Sequence, residues 1–282
     1  MKQVAWDLEE RVMDEVRKMP PAMILCGGQG TRLRDVTELL PKPMVPVGPQ
    51  PILWHIMKGY AAFGINRFIL CLGYKREAFI DYFLNYHARA TDVTIRLGKQ
   101  NDIIYHGGHG EEDWEVTLVD TGDRTMTGGR IARAAKYLKP EDQEFFLTYG
   151  DAVADVDMFK LLKQHRNARK ALTVTAVHPA GRFGEMGMNA DGNVTGFHEK
   201  PQTEQGFING GFMVANRSLP EQFLSIDAGL IFEQEPMRSI LESGEMDAYK
   251  HEGFWQCMDT AREHQLLNTL WDSGHAPWTR MW

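Results

Sequence analysis

The sequence predicts an α/β fold with a doubly wound, mostly parallel sheet and a smaller antiparallel lobe. Residues 22–26 form a short, continuous apolar run that stops at a glycine-rich loop, which is typical of a strand buried on both faces. Further apolar runs then alternate with amphipathic segments, as in parallel α/β folds. After residue 170 the pattern changes to Thr- and Val-rich stretches with turn signals, which favours antiparallel pairing.

The N-terminal segment predicts a helix that precedes the main domain. Apolar residues recur at four-residue spacing over 3–18, and Pro20 and Pro21 end the pattern; these apolar residues are Val4, Leu8, Val12 and Val16. We therefore expect a helical extension over 1–20 and one domain over 21–282. We expect one domain because no repeat or linker divides this part of the chain. Within that domain we expect two lobes, at about 21–168 and 169–282.

The remaining elements follow from the same patterns. Apolar runs predict strands at 67–72, 116–120 and 144–148. Amphipathic spacing predicts helices near 51–63, 76–87, 129–138, 157–168, 219–224, 231–243 and 260–272. In the second lobe we expect a turn at 191–193 and a strand over 208–212 with two glycines inside it.

Composition excludes several classes of function. The chain has 282 residues, 43% hydrophobic and 24% charged, and its 31 basic against 38 acidic side chains give a formal charge of −7. That charge argues against nucleic-acid or anionic-membrane partners. Without an 18-residue apolar run or a signal-peptide pattern, we expect a cytoplasmic protein with no membrane partner. The 3 cysteines form no disulfide framework, and no zinc-binding or serine-hydrolase motif occurs.

The glycine-rich loop at residues 27–32 is a candidate phosphate site. Glycines let backbone N–H groups approach a phosphate closely, and Arg32 adds a charged donor. The loop lacks P-loop spacing, and Leu33 stands where a dinucleotide fingerprint has its third glycine. A tight turn between strand and helix is the alternative interpretation.

Two lysines are stiffened by neighbouring prolines. Lys42 lies between Pro41 and Pro43, which fix the backbone and can hold its ammonium over an anion. Lys200 stands between Glu199 and a proline, and could meet a monophosphate, while Glu199 and Asn209 suit a hydroxyl-rich ligand. The alternatives are a solvated surface lysine and an ordinary loop ion pair.

Two aspartates are candidate metal ligands. Asp151 follows a strongly apolar strand, at the strand end where α/β proteins bind ligands, and such a carboxylate suits Mg²⁺. Asp259 is the candidate second carboxylate. It also precedes a helical pattern, where an aspartate commonly serves as the N-cap.

In this order along the chain, the motifs resemble those of the sugar-1-phosphate nucleotidylyltransferases. They are 25–33 (LCGGQGTRL), 41–44 (PKPM), 150–151 (GD) and 199–201 (EKP). Further segments resemble the glucose-1-phosphate cytidylyltransferases, namely 51–57 (PILWHIM), 116–122 (VTLVDTG), 126–130 (MTGGR), 207–212 (FINGGF) and 253–256 (GFWQ). The resemblance covers roughly residues 22–282.

The resemblance implies a nucleotidyltransferase fold whose smaller lobe binds a sugar, and a role for each matching residue. The nucleotide-binding residues would be Leu25, Gly27, Gly28, Gly30, Thr31, Arg32, Lys42, Thr121, Gly122, Thr127, Gly128, Gly129 and Arg130. Those around the sugar phosphate would be Tyr149, Glu199, Lys200, Asn209 and Gly210. Arg32, Lys42 and Lys200 would carry the catalytic positive charge, and Asp151 with Asp259 would hold Mg²⁺.

The implied reaction joins CTP to α-D-glucose 1-phosphate and gives CDP-glucose and pyrophosphate. Family members commonly assemble, so a homo-oligomer is expected. Ala152 stands where the cytidylyltransferase pattern has glycine, and its methyl group could alter the sugar pocket. Two alternatives stay open: the same chemistry with another nucleotide, sugar 1-phosphate or phosphorylated acceptor, and a nucleotide-sugar sensor without turnover.

Overall fold

An eight-stranded mixed sheet forms the centre of the fold. The computed structural model describes residues 19–28, 39–98, 102–111, 113–179, 185–188, 194–198 and 206–282. The predicted helix over 3–18 lies outside the described residues. None of the helices within these ranges is long and apolar enough to cross a membrane.

The described elements alternate between strands and helices along most of the chain, as predicted. The strands are β1 (Ala22–Leu25), β2 (Pro46–Val47), β3 (Gln50–Pro51), β4 (Arg67–Leu72), β5 (Asp92–Ile95), β6 (Ile103–His106), β7 (Glu115–Asp120), β8 (Glu144–Tyr149), β9 (Ala152–Ala154), β10 (Leu172–Val177), β11 (Glu185–Met188), β12 (Val194–His198), β13 (Ile208–Asn209), β14 (Met213–Asn216), β15 (Met246–His251) and β16 (Trp255–Cys257). The α-helices are α1 (Ile52–Ala61), α2 (Arg76–Leu84), α3 (Tyr86–Ala90), α4 (Thr127–Ala134), α5 (Met158–Ala168), α6 (Leu219–Phe223), α7 (Glu235–Glu242) and α8 (Ala261–Asp272).

Strand β1 lies between two parallel neighbours in the middle of the sheet. Its Leu25 is in register with Cys71 on β4 and with Tyr149 on β8, and β4 pairs in parallel with β7. The carboxyl ends of all four strands therefore meet at one edge. This arrangement confirms the predicted parallel sheet and places the ligand crevice at that edge.

The strands of the second half extend the same sheet. Strand β14 pairs antiparallel with β8 and with β10, while β10 pairs in parallel with β15. Outside the main sheet, β11 and β12 form an antiparallel hairpin. The predicted change towards antiparallel pairing is thus present, and the division into lobes near residue 168 stays a prediction.

The predicted continuous strand over 208–212 is wrong. Strand β13 ends at Asn209 and β14 begins at Met213, because Gly211 and Phe212 have φ angles of 75° and 44°. Left-handed backbone does not fit a strand, and glycine adopts it without strain. Both β13 and β14 pair antiparallel with β10, so the chain keeps its direction and the two left-handed residues form an irregularity between the pairings.

Several helices differ from their predicted bounds, and the one predicted near 231–243 begins only at Glu235. The predicted helix near 76–87 is divided at Asn85 into α2 and α3. Helix α4 begins at Thr127, two residues before the predicted start, so Gly128 and Gly129 are helical. Intrinsic propensity disfavours glycine there, but the contacts of both residues explain their identity.

Close packing requires a glycine at position 129. A Cβ atom there would lie 2.2 Å from the carbonyl oxygen of Asp227, and one on Gly128 would meet Leu230. The N–H groups of both glycines donate to the Leu230 carbonyl, at 2.9 and 3.2 Å, and the Met126 N–H donates to Ala228. The first turn of α4 is therefore anchored on the segment 227–230.

We expect Gly129→Ala to lower the free energy of unfolding by about 1–3 kcal/mol, because the added methyl group meets backbone that cannot move freely. Gly59→Ala in α1 is the matched control. Its methyl group has no neighbour within 4 Å, so better helix propensity should stabilise that variant by about 0.5–1 kcal/mol. Urea denaturation measures both values, and equal effects of the two substitutions would contradict the packing argument.

Candidate active site

A cleft of about 520 Å³ opens at the carboxyl ends of β1 and β8. Eight of the residues predicted from the sequence line it, namely Leu25, Gly27, Gly28, Lys42, Thr127, Arg130, Tyr149 and Asp151. Its remaining lining residues are Cys26, Pro43, Asp123, Arg124, Thr125, Met126 and Gly150. The cleft lies where the parallel sheet predicts a ligand site.

The side chain of Arg130 joins the strand ends beneath the cleft. Its Nη1 donates to the Leu72 carbonyl at 2.9 Å and to Thr121 Oγ1 at 2.7 Å, and its Nη2 donates to the carbonyls of Gly27 and Asp123 at 2.9 and 3.2 Å. Burial lowers the pKa of Arg130, but a guanidinium remains charged in proteins. Arg130 thus ties β1, β4 and the loop after β7 together.

The guanidinium leaves no room for side chains beside it. A Cβ atom on Gly27 would lie 2.1 Å from the Arg130 guanidinium, and one on Gly73 would lie 2.3 Å from Nη1. The glycine at position 27 therefore has a packing reason besides its predicted approach to a phosphate. A Cβ atom on Gly28 would have no neighbour within 4 Å, so the backbone there is accessible from the cleft.

Four other residues predicted around the base and ribose are not among those that line the cleft, namely Thr121, Gly122, Gly128 and Gly129. Thr121 is buried and donates to the Leu72 carbonyl, while the Gly122 N–H donates to Asp120 at 3.0 Å. The N–H groups of Gly128 and Gly129 are bonded to Leu230, as described above. Of this predicted set, Thr127 and Arg130 line the cleft itself.

A short ladder brings the two predicted metal ligands together. Strand β9 pairs antiparallel with β16, with Ala152 opposite Cys257, and the Met258 N–H donates to the Asp151 carbonyl at 2.8 Å. Asp151 and Asp259 are thereby adjacent although 108 positions separate them. Thr260, not Asp259, caps α8, in a capping box with Glu263. The N-cap role that the sequence left open for Asp259 is therefore wrong, and its carboxylate lies beside Asp151 instead.

Lys42 bridges the two carboxylates. Its Nζ lies 2.7 Å from Asp151 Oδ2 and also donates to Asp259 Oδ1. The backbone is held by a 3₁₀ turn over Lys42–Met44 whose Pro43 and Met44 are buried. Burial alone lowers the pKa of Lys42, but the two carboxylates together raise it above its ordinary value, so the ammonium stays charged.

The Lys42 ammonium shows that the carboxylate pair suits a cation. One nitrogen reaches both carboxylates, so their oxygens converge on a single position that a positive charge already occupies. Carboxylate oxygens are the ligands that Mg²⁺ prefers, with phosphates and water completing its shell. No group of three or more potential metal-ligating side chains occurs in the described part of the chain. The positions of Asp151 and Asp259 thus fit a divalent cation.

Two of the predicted sugar-pocket residues, Tyr149 and Asn209, are hydrogen-bonded to each other. Tyr149 donates from its hydroxyl to Glu233 at 2.6 Å and accepts from Asn209 Nδ2 at 3.2 Å. The Gly210 carbonyl accepts from Trp255 Nε1 at 2.7 Å. Burial and then the Glu233 carboxylate raise the pKa of Tyr149, which keeps its hydroxyl protonated.

Five predicted site residues lie outside the described residues, namely Gly30, Thr31, Arg32, Glu199 and Lys200. Ala152 is buried, 3% exposed, on β9 and is not among the residues that line the cleft. Its methyl group therefore packs in the interior rather than facing the cleft.

Sequence reasoning missed two parts of the site. Asp123, Arg124 and Thr125 line the cleft, and their position between the Thr-Gly and Thr-Gly-Gly-Arg motifs could have indicated it. Glu233 gave no comparable signal, because a lone acidic residue before a helical pattern is common on protein surfaces.

Comparisons with known proteins show the family of this chain. Residues 21–261 match the Nucleotidyl transferase family. The glucose-1-phosphate cytidylyltransferase of Salmonella typhimurium is 47% identical over 257 residues, which cover 91% of this chain and 98% of that protein. The D-glycero-alpha-D-manno-heptose 1-phosphate guanylyltransferase of Aneurinibacillus thermoaerophilus is 31% identical over 217 residues, or 76% and 82% of the two chains.

The solved structures include a match to the fold. The crystal structure of HddC from Yersinia pseudotuberculosis has a TM-score of 0.66 at 23% identity, covering 90% of this chain and 100% of that one. It shares the arrangement of strands and helices. The cleft, the carboxylate pair and the matched sequence lead to one conclusion: the chain belongs to the nucleotidyl transferase family.

Proposed function

We propose that this protein transfers a cytidylyl group from CTP to α-D-glucose 1-phosphate, giving CDP-glucose and pyrophosphate. The observation that carries the proposal is the meeting of Asp151, Asp259 and Lys42 at the cleft, in a chain 47% identical to a glucose-1-phosphate cytidylyltransferase. The cleft volume of about 520 Å³ is in the range of small-molecule sites.

Asp151 and Asp259 would hold the divalent cation, Mg²⁺ in our proposal. When bound, the ion would supply positive charge to the phosphate oxygens of the nucleotide. Lys42 would then turn from the carboxylates to the phosphates, because its ammonium needs an anionic partner in this partly buried position. The backbone at Gly27 and Gly28 would contact the same phosphates, with Arg32 adding a charged donor.

The transfer itself requires alignment and charge rather than a protein base. A phosphate oxygen of glucose 1-phosphate forms a bond to the α-phosphorus of CTP, and the bond from that phosphorus to the β-phosphate oxygen breaks. Pyrophosphate leaves with the electron pair. The attacking phosphate is already ionised near neutral pH, so no proton must be removed first. Lys200 would hold this phosphate, and Tyr149, Glu199, Asn209 and Gly210 would contact the sugar.

The direct test is pyrophosphate release by the purified protein with MgCl₂. CTP, UTP, dTTP, GTP and ATP would each be offered with glucose 1-phosphate, and the best nucleotide would then be offered with other sugar phosphates. We expect release with CTP and glucose 1-phosphate. A preference for another nucleotide or sugar phosphate would support the reaction type and refute the proposed substrates. No release with any pair would favour the sensor alternative.

Asp151→Asn should lower turnover by at least about a hundredfold, because it removes half of the proposed cation site. Asp272→Asn, an exposed carboxylate at the end of α8, is the matched control for the loss of one negative charge. Steady-state rates and circular dichroism spectra of both variants would be compared. Full turnover in folded Asp151→Asn would refute the metal assignment.

Binding of Mn²⁺ to the protein without nucleotide tests the assignment independently of activity. Because Lys42 bridges the carboxylates, we expect weak binding in the unaltered protein and at least about tenfold tighter binding in Lys42→Met. Electron paramagnetic resonance of free Mn²⁺ measures both affinities. Asp259→Asn should weaken binding, and Lys163→Met, an exposed lysine on α5, should leave it unchanged. Equal affinity of Lys42→Met and the unaltered protein would contradict the shared position of ammonium and metal.

A further inference from the structure

Glu233 connects two walls of the active site through its two carboxylate oxygens. Its Oε1 accepts from the Tyr149 hydroxyl and its Oε2 accepts from the Thr127 hydroxyl, both at 2.6 Å. Tyr149 is the last residue of β8, and Thr127 is the first residue of α4. Both line the cleft, while Glu233 lines a neighbouring groove that it shares with Asn209.

These bonds fix the direction in which the Tyr149 hydroxyl can interact. Its proton is donated to Glu233, so its oxygen has only acceptor capacity left towards Asn209 and towards the cleft. Asn209 is oriented in turn, because its Oδ1 accepts from the Gly211 N–H at 2.9 Å and its Nδ2 donates to Tyr149. One acceptor and one donor are thus presented side by side.

Thr127 is the second anchor of this arrangement. Its hydroxyl accepts from the Phe232 N–H at 2.9 Å, which leaves its proton for Glu233. Without Glu233, neither hydroxyl proton would have a fixed direction. Because hydrogen bonds to ionised acceptors are shorter and stronger than neutral ones, the carboxylate is well suited to hold both hydroxyls.

The fold does not require this carboxylate. Glu233 is exposed, and the segment that carries it is held by backbone bonds to Met126, Gly128 and Gly129 and by the fully buried side chain of Phe232. Exposed polar contacts add little to the free energy of unfolding. A carboxylate that is dispensable for stability but fixes two cleft hydroxyls points to a role in recognition.

We propose that Glu233 is a positioning residue for the sugar acceptor, acting through Tyr149 and, through that hydroxyl, Asn209. The proposal rests on the proposed function, which places Tyr149 and Asn209 beside the sugar. Glu233 keeps the Tyr149 oxygen turned as an acceptor towards a hydroxyl of the bound sugar, with the Asn209 amide next to it as a donor. The effect on CTP is expected to be smaller, because Thr127, which the resemblance assigns to the nucleotide, keeps its bond from the Phe232 N–H without Glu233.

The test compares Glu233→Ala, Tyr149→Phe and the double variant. We expect Glu233→Ala to raise KM for glucose 1-phosphate about tenfold and KM for CTP much less, by at most about threefold, because Thr127 keeps its bond from the Phe232 N–H while the Tyr149 hydroxyl loses the acceptor of its proton. If Glu233 acts through Tyr149, adding Glu233→Ala to Tyr149→Phe should change KM for the sugar phosphate no further. Multiplied effects in the double variant would overturn the proposal.

Two further variants separate positioning from a structural role. Thr127→Val keeps the side-chain volume and removes the second anchor together with a hydroxyl that the resemblance assigns to the nucleotide, so we expect a smaller rise in KM for the sugar than in Glu233→Ala and a larger rise in KM for CTP. Glu235→Gln removes an exposed carboxylate two residues away and should leave both KM values unchanged. Equal loss for CTP and sugar phosphate in Glu233→Ala, with a lowered Tm, would indicate a structural role and refute the proposal.

Calorimetry supplies a readout without turnover. Glucose 1-phosphate would be titrated into each variant loaded with Mg²⁺ and α,β-methylene-CTP, in which the bond to be broken is blocked. We expect about tenfold weaker binding in Glu233→Ala. If the unaltered protein does not bind glucose 1-phosphate, the proposed function fails; if it binds and Glu233→Ala binds equally well, only the positioning role fails.

Discussion

The buried guanidinium of Arg130 determines the shape of the cleft. Its Nη2 donates to the Gly27 carbonyl just beyond β1, and its Nη1 donates to the Leu72 carbonyl, which also accepts from the Thr121 N–H at 3.0 Å. The same contact requires glycine at positions 27 and 73, because a Cβ atom at either would overlap the guanidinium. Arg130 lies on α4, whose first turn is anchored on 227–230, and Thr127 of that turn donates to Glu233. The Arg130 side of the cleft and the Glu233 contact to Tyr149 therefore both depend on one helix.

The central strands β1, β4 and β8 could be predicted from the sequence because they are buried on both faces. The run at 67–72 coincides with β4, and that at 144–148 with β8 except for one residue. The start of α4 could not be predicted, since Gly128 and Gly129 have poor helix propensity and owe their place to the neighbouring segment. The second half of the chain joins the main sheet through the pairing of β14 with β8. About seventy positions separate these strands in the sequence, and hydrophobic periodicity does not predict which distant strands pair.

The site was predictable where a local motif carries the geometry. Lys42 needs only its two prolines and a buried 3₁₀ turn, and Asp151 needs only the end of β8. The sequence left two roles open for Asp259, metal ligand or N-cap. The pairing of β9 with β16 places its carboxylate beside Asp151, and Thr260 caps α8 instead. Most acceptors of Arg130 are backbone carbonyls. Every residue has such a carbonyl, so the sequence does not indicate which ones Arg130 contacts.

Charge balance at the cleft suggests how a chain with a formal charge of −7 can bind a polyanion. Lys42, Asp151 and Asp259 together carry one net negative charge, so this trio repels a triphosphate. With a divalent cation on the two carboxylates, as proposed, the same trio carries one net positive charge, and the Lys42 ammonium becomes available to phosphate oxygens. Bound metal then raises the affinity for nucleotide. Bound nucleotide raises the affinity for metal by the same factor, because linkage between two binding equilibria is reciprocal. Metal and nucleotide should therefore bind the cleft together rather than separately.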